Sequence, residues 1–275
     1  MLKNSKESRP WLFMGVGNVL FNEDPAYSHI YYAMFKVIQK RDESITFEKL
    51  LQDRDELIKD GHILPLKVLI AQTLTEDENS YLRNEFKVIL EDEWLKYNPL
   101  IPEAPDILKN LGQFYNIGII ANGPSFLRAI MQEAGIKQYL KVIVTSEETG
   151  IPKPNKGIFL EAFQQAEEYC DSRHETFIKT PMIMVGDSLE QDILPAKQNG
   201  MIGVQLLWDL DEKYKNSGLL TDSTFNLYLQ HLKKHSSRKR KPENQDETPD
   251  YIVQTIQELE SLLLSPKFKQ KMNLA

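Results

Sequence analysis

Met182-Ile183-Met184-Val185-Gly186-Asp187-Ser188-Leu189-Glu190-Gln191-Asp192-Ile193-Leu194-Pro195-Ala196 is an apolar run that stops at a glycine and continues as an acid-bearing turn and a helical stretch. A run with no polar alternation suits a strand covered on both faces, as in a parallel sheet. Working outward, Trp11-Leu12-Phe13-Met14-Gly15-Val16, Asn116-Ile117-Gly118-Ile119-Ile120-Ala121, Val142-Ile143-Val144 and Gly203-Val204-Gln205-Leu206-Leu207 have the same character. Stretches of helical period lie between them, among them Pro124 to Ala134 and Asn155 to Glu168. Alternating strands and helices predict an α/β fold with a doubly wound parallel sheet.

Roughly ninety residues without a strand pattern separate the first two runs, too many for a connection inside one compact domain. Pro25 to Gln39, Phe47 to Lys59, Leu64 to Leu74 and Ser80 to Tyr97 have helical character, and Tyr81, Phe86, Ile89, Leu90, Trp94 and Leu95 form a stripe expected to pack in a core. Residues 23–99 are therefore expected to form a helical cap, with 1–22 and 100–275 as the α/β core. Within that core, 209–250 is expected to be a charged, flexible insertion. It carries the basic stretch Lys233 to Lys241 followed by acidic residues, a composition that buries little apolar surface.

The bulk composition narrows the function classes. Of 275 residues 41% are hydrophobic and 27% charged, and the net charge is −7, which argues against a protein built to bind nucleic acid or an anionic membrane. The single cysteine, Cys170, rules out an internal disulfide framework, and the neighbouring Glu167, Glu168 and Asp171 disfavour its thiolate. Trp11 to Phe21 is the one stretch that looks like a signal peptide, but its apolar run is short and no small-residue cleavage site follows. A cytoplasmic location is the expectation, with no membrane contact.

In open parallel sheets ligands bind beyond the carboxyl ends of the strands, so the residues just after each run should meet. They are Gly15-Val16-Gly17-Asn18, Ala121-Asn122-Gly123 and Gly186-Asp187-Ser188, joined by Lys153 from Gly150-Ile151-Pro152-Lys153-Pro154. This set, in this order over nearly the whole chain, resembles the haloacid dehalogenase superfamily. Gly186-Asp187-Ser188 with Asp192, Ala196 and Gly200 carries the resemblance most strongly, then Ile151 to Pro154. Phe13 to Leu20 and Ile119 to Gly123 are similar to the first and second motifs, and the insertion falls where the family places its cap.

The resemblance implies an aspartate nucleophile opening the first motif, a second acid–base aspartate two positions on in phosphatases, and a Ser or Thr in the second motif. This chain has Gly15, Gly17 and Ala121 at those three places. A glycine cannot form a covalent intermediate. Removing a nucleophile cost about a million-fold in a well-studied protease, ~8 kcal/mol of barrier. The resemblance also implies Asp187 and Asp192 as magnesium-side carboxylates, with weak binding expected, and an anion held by Lys153 with help from Asn18 and Asn122. Lys153 paired simply with Asp187 or Asp192 is the plainer alternative. His29, His62, His174 and His231 accompany no serine or cysteine of a motif. Gly15-Val16-Gly17 lacks the third glycine of a dinucleotide loop, where Leu20 stands.

Two functions remain. The first is a pseudoenzyme without aspartyl transfer that binds a small anionic or phosphorylated ligand, or scaffolds a protein partner through the cap or the 209–250 loop. The alternative is a metal-dependent hydrolase, phosphatase-like or dehalogenase-like, of altered mechanism that uses Asp187, Asp192 and Lys153.

Overall fold

The computed structural model describes residues 9–60, 62, 64–179, 181–215, 218–234, 242, 245 and 247–272. Six parallel strands form one sheet: β1 (Trp11–Met14), β2 (Asn116–Ala121), β3 (Leu140–Thr145), β4 (Ile183–Gly186), β5 (Ile202–Leu206) and β6 (Tyr251–Val253), in the order β3-β2-β1-β4-β5-β6. β1, β2 and β4 are buried along their whole length. This is why their sequences run apolar without alternation. The stretch that looked like a signal peptide thus begins as a central strand, and it is apolar because both its faces are covered.

Register ties the core to the residues that precede the motifs. Phe13 lies beside Gly118 on one side and Met184 on the other. A Cβ on Gly118 would come within 2.6 Å of the Phe13 ring, so glycine there makes room for the aromatic. Trp11 stacks on Phe13 and both pack with Phe159, Phe163 and Met184 over one face of the sheet. Cys170 belongs to the same cluster, and burial, ahead of its acidic neighbours, pushes its thiol pKa up, which disfavours reactivity.

The chain divides into two compact units: Met1–Phe21, Leu100–Asp209 and Pro242–Ala275 form the sheet unit, and Asn22–Pro99 with Leu210–Lys241 form a helical one. The helical unit contains helices Asp24–Gln39, Phe47–Lys59, Pro65–Thr73 and Glu76–Lys87. The last opens with a capping box between Thr75 and Glu78. One helix was expected over Ser80 to Tyr97, but the α-helix stops at Lys87, a π turn covers Val88–Asp92, and a short helix follows at Trp94–Tyr97. The wider turn rotates the apolar stripe: Leu82, Ile89 and Trp94 are buried, whereas Tyr81 and Leu90 are exposed.

A second difference concerns residues 210–241, which the sequence reading assigns to a flexible part of the core. Of these, the described residues 210–215 and 218–234 cluster with the helical unit, and Ser223–Lys234 is a helix. Phe225, Tyr228, Leu229 and Leu232 recur at i, i+3, i+4 and i+7 and are buried, a stripe that composition averaged over 209–250 conceals. Tyr228 stacks on Tyr31, the Arg54 guanidinium lies 5.6 Å and 5.8 Å from their two rings, and His231 Nε2 is 2.9 Å from Asp55 Oδ2. Lys233 and Lys234 end this helix, and residues 235–241 of the basic stretch lie outside the described residues. Among the described residues no helix is long and apolar enough to cross a membrane. Phe225→Ala should lower the unfolding free energy by about 3–5 kcal/mol in urea titration. A solvated loop at that position would instead tolerate the change within about 0.5 kcal/mol.

Candidate active site at the strand ends

The ends of β1, β2 and β4 are neighbours in the sheet, which brings the first, second and fourth motifs together. The loop after β1 is tied down at its start, where the Gly15 amide donates to the Val185 carbonyl at 2.9 Å. It then curls back on itself, the Leu20 and Phe21 amides both donating to the Val16 carbonyl and the Asn18 amide to the Phe21 carbonyl. Asn18 takes a left-handed conformation, φ 52°, which asparagine tolerates better than most residues.

After β4 the chain turns through Asp187 and Ser188 into a π turn, Leu189–Ile193. Ser188 Oγ accepts from the Gln191 amide, and the Ser188 amide donates to Asp192 Oδ2 at 3.1 Å. Asp192 thereby folds back on the strand end. A Cβ on Gly186 would lie 2.2 Å from the Asp192 Cβ, so this approach requires glycine. Asp192 is 3% exposed and Lys153 6%, and Lys153 Nζ donates to Asp192 Oδ1 at 2.5 Å. The plainer expectation for Lys153, pairing with a motif aspartate, is the arrangement seen, and the aspartate is Asp192.

Asn122 has a different occupation from the anion contact expected of it. Its Oδ1 accepts from the Lys153 amide at 2.6 Å, and its Nδ2 donates to the Lys153 carbonyl at 3.0 Å and to Gln191 Oε1 at 3.1 Å. Its amide therefore grips the main chain of the lysine loop and fixes where Lys153 starts. Ala121 ends β2, buried, and presents only a methyl group.

Two residues outside every motif brace the site. Trp208 Nε1 donates to the Asn18 carbonyl at 2.6 Å, and Gln205 Nε2 donates to the Asp187 carbonyl at 3.3 Å. The main chain around Trp208 is fixed by the Leu207 and Asp209 amides, which donate to Val253 and Gln254. Sequence reasoning missed both residues. The one available signal was their position at and just beyond the end of an apolar run, Gln205 being a polar residue inside it. A serine–histidine–aspartate grouping also occurs in the helical unit, where His29 Nδ1 is 3.2 Å from Ser28 Oγ and Nε2 is 3.3 Å from Asp222. Ser28 is fully buried and its hydroxyl donates to the Pro25 carbonyl at 2.7 Å, so the histidine does not activate it.

Gly15, Gly17 and Ala121 supply no side-chain nucleophile, acid or phosphate-holding hydroxyl. Among the described residues no three His, Cys, Asp or Glu side chains converge to hold a metal. Asp192 faces Lys153 and the Ser188 amide. A resident magnesium site built from side chains would want more ligands than the described residues bring together here.

Glycine is dispensable to the fold at position 15, in contrast to 186. A Cβ on Gly15 would meet its nearest atoms at 3.5–3.8 Å, ordinary contact, and the backbone there is not left-handed. Gly15→Ala should thus leave stability unchanged or raise it by about 0.4–1 kcal/mol. Gly186→Ala should cost about 1–3 kcal/mol through overpacking against Asp192. Urea unfolding of the two variants checks both values.

Comparison with known proteins agrees with this geometry. Residues 15–200, more than half of the chain, match the sequence profile of the haloacid dehalogenase-like hydrolases. The pyrimidine 5'-nucleotidase YjjG of Escherichia coli is 37% identical over 102 residues, 37% of this chain. A glyceraldehyde 3-phosphate phosphatase of Methanothermobacter thermautotrophicus is 32% identical over 106 residues, 38% of this chain. The chain spans 42% of the length of each of these two relatives. The crystal structure of the putative HAD-hydrolase YfnB from Bacillus subtilis, bound to magnesium, superposes with a TM-score of 0.54 at 17% identity, covering 94% of this chain and 99% of that one. The sheet order, the motif placement and the profile match agree, and the chain belongs to the haloacid dehalogenase-like hydrolase family.

Proposed function

We propose that this chain hydrolyses small phosphorylated molecules by direct attack of water, without an aspartyl intermediate. The observation that carries the reading is the buried Lys153–Asp192 pair, kept at the strand ends although position 15 has no carboxylate. Family membership and the phosphatase and nucleotidase relatives support a hydrolase over the scaffolding alternative.

Each remaining group has a defined task. The Lys153 ammonium has three N–H groups, of which one faces Asp192; the others can pair with oxygens of a bound phosphate. Asn122 sets the lysine's position through its loop, and Trp208 and Gln205 hold the facing loops. Asp187 would hold a magnesium brought in with the phosphate, which would offset the charge of the dianion and polarise its oxygens. Non-covalent capture of a phosphorylated ligand without turnover is the second reading. It is favoured by Gly15 and by the mutual neutralisation of Lys153 and Asp192.

Phosphate release from an aryl phosphate and halide release from a small haloacid panel, each with and without magnesium, test these readings on the native chain and Asp187→Asn. Turnover of the phosphate ester that falls by about 100-fold or more in the variant is expected. Equal rates in the two proteins would sink the proposal. Tight phosphate binding with no turnover in either would establish the second reading.

A further inference from the structure

We infer that the helical unit carries a proton-dependent fastening, in which His29 and His231, as imidazolium ions, hold the two ends of the Ser223–Lys234 helix to the rest of that unit. All the residues concerned belong to Asn22–Pro99 or Leu210–Lys241. At the start of the helix, His29 Nε2 reaches across from the Asp24–Gln39 helix to 3.3 Å from Asp222 Oδ2. At its end, His231 Nε2 lies 2.9 Å from Asp55 Oδ2 and its Nδ1 3.2 Å from Glu48 Oε2, both on the Phe47–Lys59 helix.

Each ring meets an oxygen at both of its nitrogens. His29 Nδ1 is 2.9 Å from the Pro25 carbonyl and 3.2 Å from Ser28 Oγ, whose own proton goes to that same carbonyl. A neutral imidazole has a single N–H, so one nitrogen of each ring would turn a lone pair toward an oxygen. The imidazolium presents an N–H on both sides. Full burial of the His231 ring opposes its charge; the two carboxylates offset that cost, as does its place in the last turn of a helix, where the macrodipole favours a cation.

The surrounding charged groups hold the carboxylates in place for this. Arg54 donates to Asp55 Oδ1 at 2.8 Å while His231 meets Oδ2, and Lys234 Nζ is 3.6 Å from Glu48 Oε1 while His231 meets Oε2. Asp222 Oδ1 caps the helix by accepting from the Thr224 and Phe225 amides, and its second oxygen faces His29. Lys213 pairs with Asp24 and Lys233 with Asp211. The Tyr97 ring stands edge-on to His29 at 5.2 Å. Tyr27, stacked on Tyr31, has its pKa pushed well up by Glu23 and by burial, so it keeps its proton near neutrality.

A docked helix keeps a proton on each ring that an undocked one releases more readily, so proton binding and docking favour each other. The fastening is therefore complete on the acid side of neutrality, while the carboxylates are still ionised. It weakens as pH rises through the range in which histidine changes charge, about pH 5 to 8. The apolar contacts of Phe225, Leu229 and Leu232 do not depend on pH, so the helix loosens locally while the unit stays folded.

Hydrogen exchange of the Phe225 to Leu232 amides in the full chain tests the fastening, each rate being divided by the intrinsic rate at the same pH. Between about pH 6 and about pH 8 the protection of these amides is expected to fall by about 10-fold in the native chain. The double variant Asp222→Asn, Glu48→Gln removes both half-exposed carboxylate charges and leaves the histidines untouched, and asparagine still caps the helix. In it the fall should shrink to within about twofold. Native protection that is equal at the two pH values would overturn the fastening, as would a fall that persists in full in the double variant. A fall equally large in the Lys156–Ser172 helix of the sheet unit would also overturn it, because unfolding of the whole chain would then be the cause.

Discussion

The Lys153–Asp192 ion pair is the constraint around which the sheet unit's functional end is organised. Two charges this deeply buried stay only if each satisfies the other, because removing one partner from a buried pair typically costs about 3–5 kcal/mol. Keeping the pair in place in turn requires several distant pieces to agree. Gly186 must lack a side chain so that Asp192 can lie on the end of β4, and the Ser188 amide must point at its second oxygen. Asn122 must grip the main chain of Lys153 from the end of β2. The sheet order, with β1 between β2 and β4, makes this agreement geometric.

That arrangement decides how the departures at Gly15, Gly17 and Ala121 should be understood. Loss of three functional groups from an otherwise relaxed site would leave its remaining charges without purpose, and buried charges without partners are expensive. Here the remaining charges are paired, hydrogen-bonded and braced from a neighbouring strand by Gln205 and Trp208. The site is complete as a structure even though it lacks the side chain that would make an aspartyl ester. Under the hydrolytic reading proposed above, water takes the place of that side chain.

The helical unit rests on a comparable device of its own. Arg54 lies beside the stacked rings of Tyr31 and Tyr228 and bonds Asp55, which also meets His231. Residues from the two ends of a long sequence separation, 54–55 and 228–231, thus share one polar knot inside an apolar cluster. Polar groups that must find specific partners give such a packing a single register, where apolar contacts alone would allow several.

The sequence by itself determined the strands and the family. The first, second, fourth and fifth strands lie within two residues of the apolar runs at Trp11, Asn116, Met182 and Gly203, because burial on both faces leaves a continuous apolar signature. Gly186 to Ala196 and the proline-flanked Lys153 likewise stand out, since local turns impose fixed spacings. Only the tertiary structure decided that Lys153 chooses Asp192, that Asn122 grips a backbone, and that Trp208 and Gln205 belong to the site. These contacts join residues tens to nearly two hundred positions apart, and their energies depend on distances that no local pattern encodes. The same reason explains the helix at Ser223–Lys234: its charged neighbours dominate the local composition, while its apolar face acquires meaning only against the helices it packs on.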